Sequence, residues 1–326
     1  MKRFKDILCV LEPEEEYHPV LERAITLAET NQATLTIVTV VPHITVDFNL
    51  FKDDFDVDLQ TAMKDEKKTK LDSLVNSFSH KIKIETKTLS GVPFLEIIYE
   101  ILRNGHDLVI KMPEITDWLD HLFGSNDMHL LRKCPCPVWL IKPDSPKSYQ
   151  NILAAVDLDS DDDTELTTES QKVLNHQILQ MASSLAVNDL SQLHVAHIWD
   201  APAESLMHSP FIKTSKAEID DYVKKVKHQQ EEKLNTFLHD AVDSQVGDML
   251  DYLKPNIHLI RGLASQSIPK LAKEIEADII VMGTVARTGI QGFIMGNTAE
   301  TNLNQINCSV IAIKPPEFIT PVKLKE

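Results

Sequence analysis

The chain contains an internal repeat, and this repeat constrains the fold more than any other feature of the sequence. The segment D-I-L-C-V-L-E at 6–12 corresponds to N-I-L-A-A-V-D at 151–157. Further along, H-D-L-V-I-K-M at 106–112 corresponds to A-D-I-I-V-M-G at 277–283. The separation between corresponding segments therefore grows from 145 to 171 residues. The sequence predicts two similar domains in tandem, the second with a longer middle part.

Each copy alternates short, unbroken apolar runs with amphipathic stretches of helical spacing. Unbroken apolar strands that alternate with helices are typical of a parallel sheet covered on both faces. We expect an α/β fold with two doubly wound domains, 1–146 and 147–326. The predicted strands of the first copy are 7–11, 34–41, 82–89, 108–112 and 138–141, and those of the second are 151–157, 192–199, 256–261, 278–283 and 309–314.

The composition excludes several classes of protein. The 326-residue chain has a net charge of −16, which argues against a nucleic-acid-binding surface because such surfaces cluster Lys and Arg. No apolar run approaches the roughly 20 residues of a membrane-spanning helix, and the N-terminus lacks the pattern of a signal peptide. Four cysteines in a chain of this length do not make a disulfide framework. A cytoplasmic protein is the simplest interpretation.

A phosphate-binding pattern lies near the end of the second copy. The apolar run 279–282 ends at Gly283, and Gly296-Asn297-Thr298 opens a further segment. A strand, a glycine-bearing loop and a helix start together form a typical anion site, because N–H groups at a helix start point toward the ligand. Arg287 adds a positive charge between the two glycines.

The chain resembles the universal stress protein family, and more narrowly its tandem two-domain type. The resemblance rests on M-G-T-V-A-R-T-G (282–289), G-N-T-A-E (296–300), H-L-L-R-K-C-P (129–135) and the first strand of copy two, which ends in Asp157. It covers nearly the whole chain. It implies a five-stranded parallel sheet of order 3-2-1-4-5 in each domain, four helices per domain, and pairing of domains through their fifth strands. Many members of the family bind ATP and others do not, so the resemblance implies ATP as the candidate ligand.

The ATP-binding members carry the pattern G-x-x-G, nine residues, then G-(Ser/Thr). Here Gly283 and Gly296 match, but Ala286 stands at the second glycine and Asn297 at the Ser/Thr. A methyl group at the second position tightens a loop that must approach a phosphate closely. The resemblance implies a site in which Asp157 binds the ribose or Mg²⁺ and Ile198 contacts adenine. The predicted site residues are Ala155, Val156, Asp157, Ile198, Met282, Gly283, Val285, Arg287, Gly296, Asn297 and Thr298.

The first copy is predicted not to bind a nucleotide. Its fourth strand ends K-M-P-E without glycine, and only Gly124 of the pattern remains. Glu12 and Glu114 near this strand end would repel phosphate. Lys111 is expected to form a buried ion pair with one of these two carboxylates.

Three other groups of residues have simpler structural interpretations. Cys134 and Cys136 are expected to be packing thiols rather than a metal or redox pair. The acidic segment 157–163 lacks the glycine and glutamate of a calcium loop, so a solvated loop, with weak Mg²⁺ binding beside a nucleotide, is the better interpretation. His194 and His197 on the second strand are expected in the core or at its rim.

The leading functional expectation is a stress-response protein that binds a nucleotide or another small anion through its second domain and regulates without robust catalysis. A dimeric scaffold that binds no nucleotide is the alternative, and a slow ATP hydrolase using Asp157 with Mg²⁺ is the weakest. A homodimer is expected from the resemblance and from the edges of the fifth strands, which need cover. Neither a nucleic acid nor a membrane is an expected partner.

Overall fold

Ten strands form one continuous sheet in the computed structural model of the chain. The residues that the structure describes are 4–12, 19–42, 53–78, 82–114, 123–159, 165–209, 211–212, 214–242, 247–284 and 296–324.

Each half of the chain contributes five strands with helices between them. The first half contains β1 (Asp6–Val10), α1 (Pro19–Asn31), β2 (Thr34–Val41), α2 (Asp53–Ser77), β3 (Ile84–Ser90), α3 (Pro93–Asn104), β4 (Leu108–Lys111), α4 (Ser125–Lys133) and β5 (Val138–Leu140). The second contains β6 (Asn151–Val156), α5 (Glu165–Asp189), β7 (Gln192–Trp199), α6 (Glu204–Met207), α7 (Lys216–Val242), α8 (Gly247–Leu253), β8 (Asn256–Arg261), α9 (Ala264–Glu274), β9 (Ile279–Gly283), α10 (Asn297–Gln305) and β10 (Ser309–Ile313).

The strand order is β3-β2-β1-β4-β5-β10-β9-β6-β7-β8. Each half therefore has the order 3-2-1-4-5 with parallel pairing throughout, which confirms the predicted α/β fold with two tandem doubly wound domains. Successive side chains along a strand point to opposite faces of the sheet, so the strands contribute to two hydrophobic cores, one on each face. In β1, for example, Ile7 and Cys9 face one core and Leu8 and Val10 the other.

The two halves join through their fifth strands. β5 pairs antiparallel with β10, with Trp139 opposite Ile311 and Leu140 opposite Val310. This is the pairing that the family resemblance implies, but it occurs within one chain. The expectation that the fifth-strand edges need a second copy for cover is therefore wrong, because each edge already covers the other. The homodimer stays a prediction, for which the fifth-strand edges give no support because they pair with each other.

Further contacts join the two halves outside the sheet. Arg23 on α1 donates from Nη1 to both carboxylate oxygens of Asp189 on α5, at 2.9 and 2.8 Å. Its guanidinium also lies 4.4 Å from the ring centroid of Tyr149. Beyond β10, the Thr320 hydroxyl donates to the Lys133 carbonyl at 2.6 Å, so the C-terminal segment lies against α4 of the first half.

The structure differs from the sequence-based expectation mainly in helix bounds. The charged, amphipathic spacing of 61–78 predicts a helix there, and α2 begins eight residues earlier, at Asp53. The sequence between β7 and the following predicted helix, 201–211, suggests a surface excursion, and it includes the single-turn helix α6. The short helix α8 was not predicted.

Candidate functional site

A cleft of about 290 Å³ opens at the carboxyl ends of β6, β7 and β9, beside the start of α10. This is the point where the chain leaves neighbouring strands toward opposite faces of the sheet, and open α/β sheets bind ligands there. We call it the second-domain cleft. Eight of the predicted site residues line it: Ala155, Val156, Asp157, Ile198, Met282, Gly283, Gly296 and Thr298. Of the remaining three, Asn297 begins α10, whereas Val285 and Arg287 lie outside the described residues, as does Ala286.

Sequence reasoning missed the helical walls of the second-domain cleft. The missed residues come from α5, α9 and α10, and they are Gln171, Leu174, Asn175, Ile178, Ala264, Ile268, Ala299 and Asn302. Positions 171, 174, 175 and 178 share one helical face by their spacing. That spacing predicts that these four positions share a face of α5, but it does not predict that this face lines the cleft.

Asn175 holds the end of β6 in place. Its side chain is 2% exposed, and its Oδ1 accepts from the Asp157 N–H at 3.0 Å while its Nδ2 donates to the Asp157 carbonyl at 2.6 Å. The amide thereby replaces the strand partner that the backbone loses where β6 ends. The carboxylate of Asp157 is thus presented at the cleft on a backbone fixed from both sides.

Gly283 packs closely against α5. A Cβ built on this residue would lie 2.9 Å from Leu174 Cδ2, which is closer than real Cβ contacts. The absence of a side chain lets α5 approach the end of β9. This close packing accounts for a glycine at position 283 whether or not a ligand binds, although the residue also lines the cleft.

Gly296 lines the cleft, but its own N–H is already engaged. It donates to the Thr284 carbonyl at 3.1 Å, which closes the base of the loop between the two residues. The expectation that the N–H groups from Gly296 onward all serve an anion is wrong at this first position. The N–H groups of the first helical turn, which begins at Asn297, have no acceptor within the helix, and they remain the ones suited to an anion.

A buried lysine lies between this loop and the first domain. Lys314 follows β10, is 6% exposed, and donates from Nζ to the Thr284 hydroxyl at 2.6 Å and to the Leu131 carbonyl at 2.5 Å. Burial lowers the pKa of its ammonium to about 7. Sequence reasoning did not single out this residue, although the repeated I-K-P at 141–143 and 313–315 marks it.

In the first domain an ion pair occupies the place that corresponds to the second-domain cleft. Lys111 Nζ donates to Asp127 Oδ1, and both side chains are buried. The other oxygen of Asp127 accepts from the N–H groups of Glu114 and Gly124, at 2.7 and 3.1 Å. This carboxylate therefore fills the start of α4 as an internal anion. An added phosphate would have to displace it.

The sequence predicted a buried ion pair for Lys111 but named the wrong partner. The two expected carboxylates bond elsewhere: Glu12 accepts from Lys67 Nζ at 2.9 Å, and Glu114 accepts from Asn126 Nδ2 at 2.7 Å. Asp127 lies on the first turn of α4, and its contact with Lys111 at the end of β4 depends on the packing of α4 against α3. That packing cannot be read from spacing alone.

The two cysteines of the C-P-C segment are buried neighbours. Cys134 and Cys136 are free thiols with their Sγ atoms 3.6 Å apart. The contact with Cys134, and then burial, raises the pKa of the Cys136 thiol. A thiol of raised pKa is a poor nucleophile and metal ligand, which agrees with the expected packing role.

The histidines of β7 bond within the protein. His194 Nδ1 lies 3.0 Å from His258 Nε2 on β8, and burial lowers the pKa of both rings. His197 is fully buried, with its Nε2 3.1 Å from Gln230 Oε1 on α7. Gln230 in turn donates to Asp159 at 2.7 Å. Neither histidine lines the second-domain cleft.

Within the described part of the chain, no three His, Cys, Asp or Glu side chains are grouped closely enough to hold a metal ion. Most of the acidic segment, 160–163, lies outside the described residues, so weak Mg²⁺ binding there stays a prediction. None of the helices, over the residues described, is both long and apolar enough to span a bilayer.

Comparison with known proteins finds one matching family and relatives that carry the name of that family. The model of the universal stress protein family matches two tandem segments, 3–142 and 148–314. Universal stress protein E of Escherichia coli K12 is 27% identical over 344 residues, which cover 100% of this chain and 99% of that protein. The universal stress protein E homolog of Haemophilus influenzae is 28% identical over 331 residues, with 96% and 98% covered.

Solved structures are similar over nearly the whole length. A functionally unknown protein from Pseudomonas aeruginosa PAO1 superposes with a TM-score of 0.67 at 25% identity, covering 97% of this chain and 94% of that one. A universal stress protein from Archaeoglobus fulgidus has a TM-score of 0.58 at 16% identity, covering 95% and 98%, and shows the shared fold alone. With the family model matched twice and the two-domain fold in place, this chain belongs to the universal stress protein family.

Proposed function

We propose that this protein is a cytoplasmic stress-response regulator that binds a nucleotide, ATP with Mg²⁺, in the second-domain cleft and has no robust catalytic activity. The observation that carries the proposal is the contrast between the two halves of one sheet. The cleft is open in the second domain, whereas the Lys111–Asp127 ion pair fills the corresponding place in the first. The four buried free cysteines agree with a reducing compartment.

The residues of the cleft fit the parts of a nucleotide. Its volume of about 290 Å³ is just below the usual range for ligand sites, so it accommodates a nucleoside while the phosphates extend outward. Ile198, Ala264 and Ile268 supply apolar surface for a base. The Asp157 carboxylate at the end of β6 suits a ribose hydroxyl or Mg²⁺. The start of α10, with Thr298 exposed, suits the phosphates.

A pair of glycine substitutions tests the proposal. Gly296 and Gly124 cap the starts of α10 and α4 with φ and ψ of −62° and 138°, and −73° and 175°, which any residue adopts. A valine at either position therefore acts through its bulk rather than through backbone strain. We expect Mg-ATP at about 100 times its Kd to stabilise the wild type by about 2.7 kcal/mol. Gly296→Val should abolish that stabilisation.

Gly124→Val is the matched control. A Cβ at Gly124 would approach Glu114 Oε2 to 2.6 Å, so this variant can lower the melting temperature without ligand. Its increase in melting temperature on adding Mg-ATP should nevertheless equal that of the wild type. No increase in the wild type at saturating Mg-ATP would refute ATP binding, and an increase that survives Gly296→Val would refute the assigned site.

A scaffold that acts through partner binding is the second candidate, and a specific surface favours it. Around α6 the large apolar side chains Leu206, Phe211 and Ile212 are 63%, 95% and 49% exposed. Side chains of this kind commonly mark protein interaction sites when they lie together. Nucleotide binding by the wild type decides between the two functions, because the scaffold needs none.

A further inference from the structure

Asn302 is a buried amide without a hydrogen-bond partner among the residues that the structure describes. It lies on α10, is 0% exposed, and lines the second-domain cleft, yet within that part of the chain neither Oδ1 nor Nδ2 is hydrogen-bonded. Buried side-chain amides are nearly always bonded, so each exception requires an explanation. Thr298 and Ala299, one helical turn earlier on the same face, also line the cleft. An external group bound in the cleft is the simplest missing partner.

The first domain shows that the fold does not need a polar group at this position. Asn302 follows the cap Gly296 by six residues, and Leu130 follows the corresponding Gly124 by six. Leu130 is 1% exposed and packs in the apolar core. An apolar residue is thus well accommodated at this place on the helix, and an unpartnered amide lowers the stability of the empty protein.

The surroundings of Asn302 select the kind of group that it binds. Nearby cleft residues such as Ile268 and Met282 are buried and apolar, whereas Thr298 at the helix start is exposed. Charged phosphates belong at the exposed helix start, because an anion loses its hydration in an apolar recess. A flat, neutral heterocycle suits the apolar end. A carboxamide presents a donor beside an acceptor, which matches the edge of adenine, where the 6-amino group lies beside a ring nitrogen.

We propose that Asn302 binds the base of the nucleotide, with Oδ1 accepting from the 6-amino group of adenine and Nδ2 donating to the neighbouring ring nitrogen. This inference rests on the proposed nucleotide-binding function and adds the residue that recognises the base. Asn302 is thereby a specificity-determining residue on the helix wall, one helical turn beyond Thr298 at the phosphate-binding end of the pattern.

The test compares ATP with purine riboside triphosphate, which lacks only the 6-amino group. Isothermal titration of the wild type should give a Kd for this analogue about 10 times that for ATP, because a site built to bond an N–H rejects the ligand without it. Asn302→Leu, which installs the residue of the first domain, should bind both ligands with equal Kd. The same variant should raise the melting temperature without ligand, which also verifies that it folds. If leucine does not fit, Asn302→Ala should give the same equal Kd values.

The control is Asn104→Leu, on the exposed end of α3 in the first domain, which should keep the tenfold preference for ATP. A preference that persists in Asn302→Leu would overturn the inference while the proposed function stands. Equal Kd values for the two ligands in the wild type would overturn it as well. If the wild type binds neither ATP nor tripolyphosphate, the proposed function and this inference both fail.

Discussion

Replacing Lys314 with methionine is expected to remove a pH dependence of stability that this residue gives the wild type. Burial lowers the pKa of Lys314 from 10.5 to about 7 in the folded protein. Below the folded pKa both states carry the proton, and the folded state bears the full cost of a buried ammonium. As the pH rises, the folded protein releases this proton while the unfolded chain keeps it. The free energy of unfolding therefore increases with pH in this window.

The magnitude follows from the slope of about 1.4 kcal/mol per pH unit for one proton. Lys314 is half protonated at its folded pKa and nearly unprotonated two pH units higher. The gain in the free energy of unfolding over those two units is therefore about 2 kcal/mol. Ionisable residues elsewhere in the chain titrate equally in the wild type and in Lys314→Met, so the difference between the two proteins isolates this lysine.

The assay is denaturation in guanidinium chloride, monitored by tryptophan fluorescence. It is carried out at the folded pKa of Lys314 and at two pH units above it. Lys314→Met also leaves the Leu131 carbonyl and the Thr284 hydroxyl without a donor, which changes stability equally at both pH values. Lys142→Met is the matched control, since Lys142 is the repeat counterpart and pairs with Asp144 at the surface. A pH dependence that is the same in Lys314→Met as in the wild type would refute the assigned titration.

Two further substitutions test the packing on which the site rests. Gly283→Ala should lower the free energy of unfolding by about 1–3 kcal/mol because its methyl group collides with Leu174. In chemical denaturation, the double variant with Leu174→Ala should lose less stability than the sum of the two single losses, because the clash is gone. Asp127→Ala should cost about 3–5 kcal/mol because Lys111 is left buried without its counter-ion. Adding Lys111→Met should restore most of that stability, and a double variant no more stable than Asp127→Ala would contradict the ion-pair explanation.

Much of the fold could be predicted because strand identity is a local property of this sequence. The runs 34–41 and 192–199 became strands with the predicted bounds, since β-branched and apolar residues fill them. Helix starts were harder to predict. The polar stretch that begins at Asp53 has no clear apolar stripe, and α2 nevertheless extends through it.

The residues of the candidate site likewise fall into those that the sequence predicts and those that it does not. Residues at strand ends and in the glycine pattern, such as Asp157 and Gly296, could be named because their positions are set by short-range chain geometry. Asn175 and Asn302 could not, because they come from helices whose cleft-facing sides are fixed only by three-dimensional packing. The partner of Lys111 was missed for that reason as well.

The number of ATP molecules bound per chain tests the central claim most directly. Isothermal titration of the 326-residue chain with Mg-ATP should give one site per chain, because the second-domain cleft is open and the Asp127 carboxylate fills its counterpart. That site should be lost in Gly296→Val and kept in Gly124→Val. Two sites per chain, or no binding by the wild type, would contradict the assignment of nucleotide binding to the second domain alone.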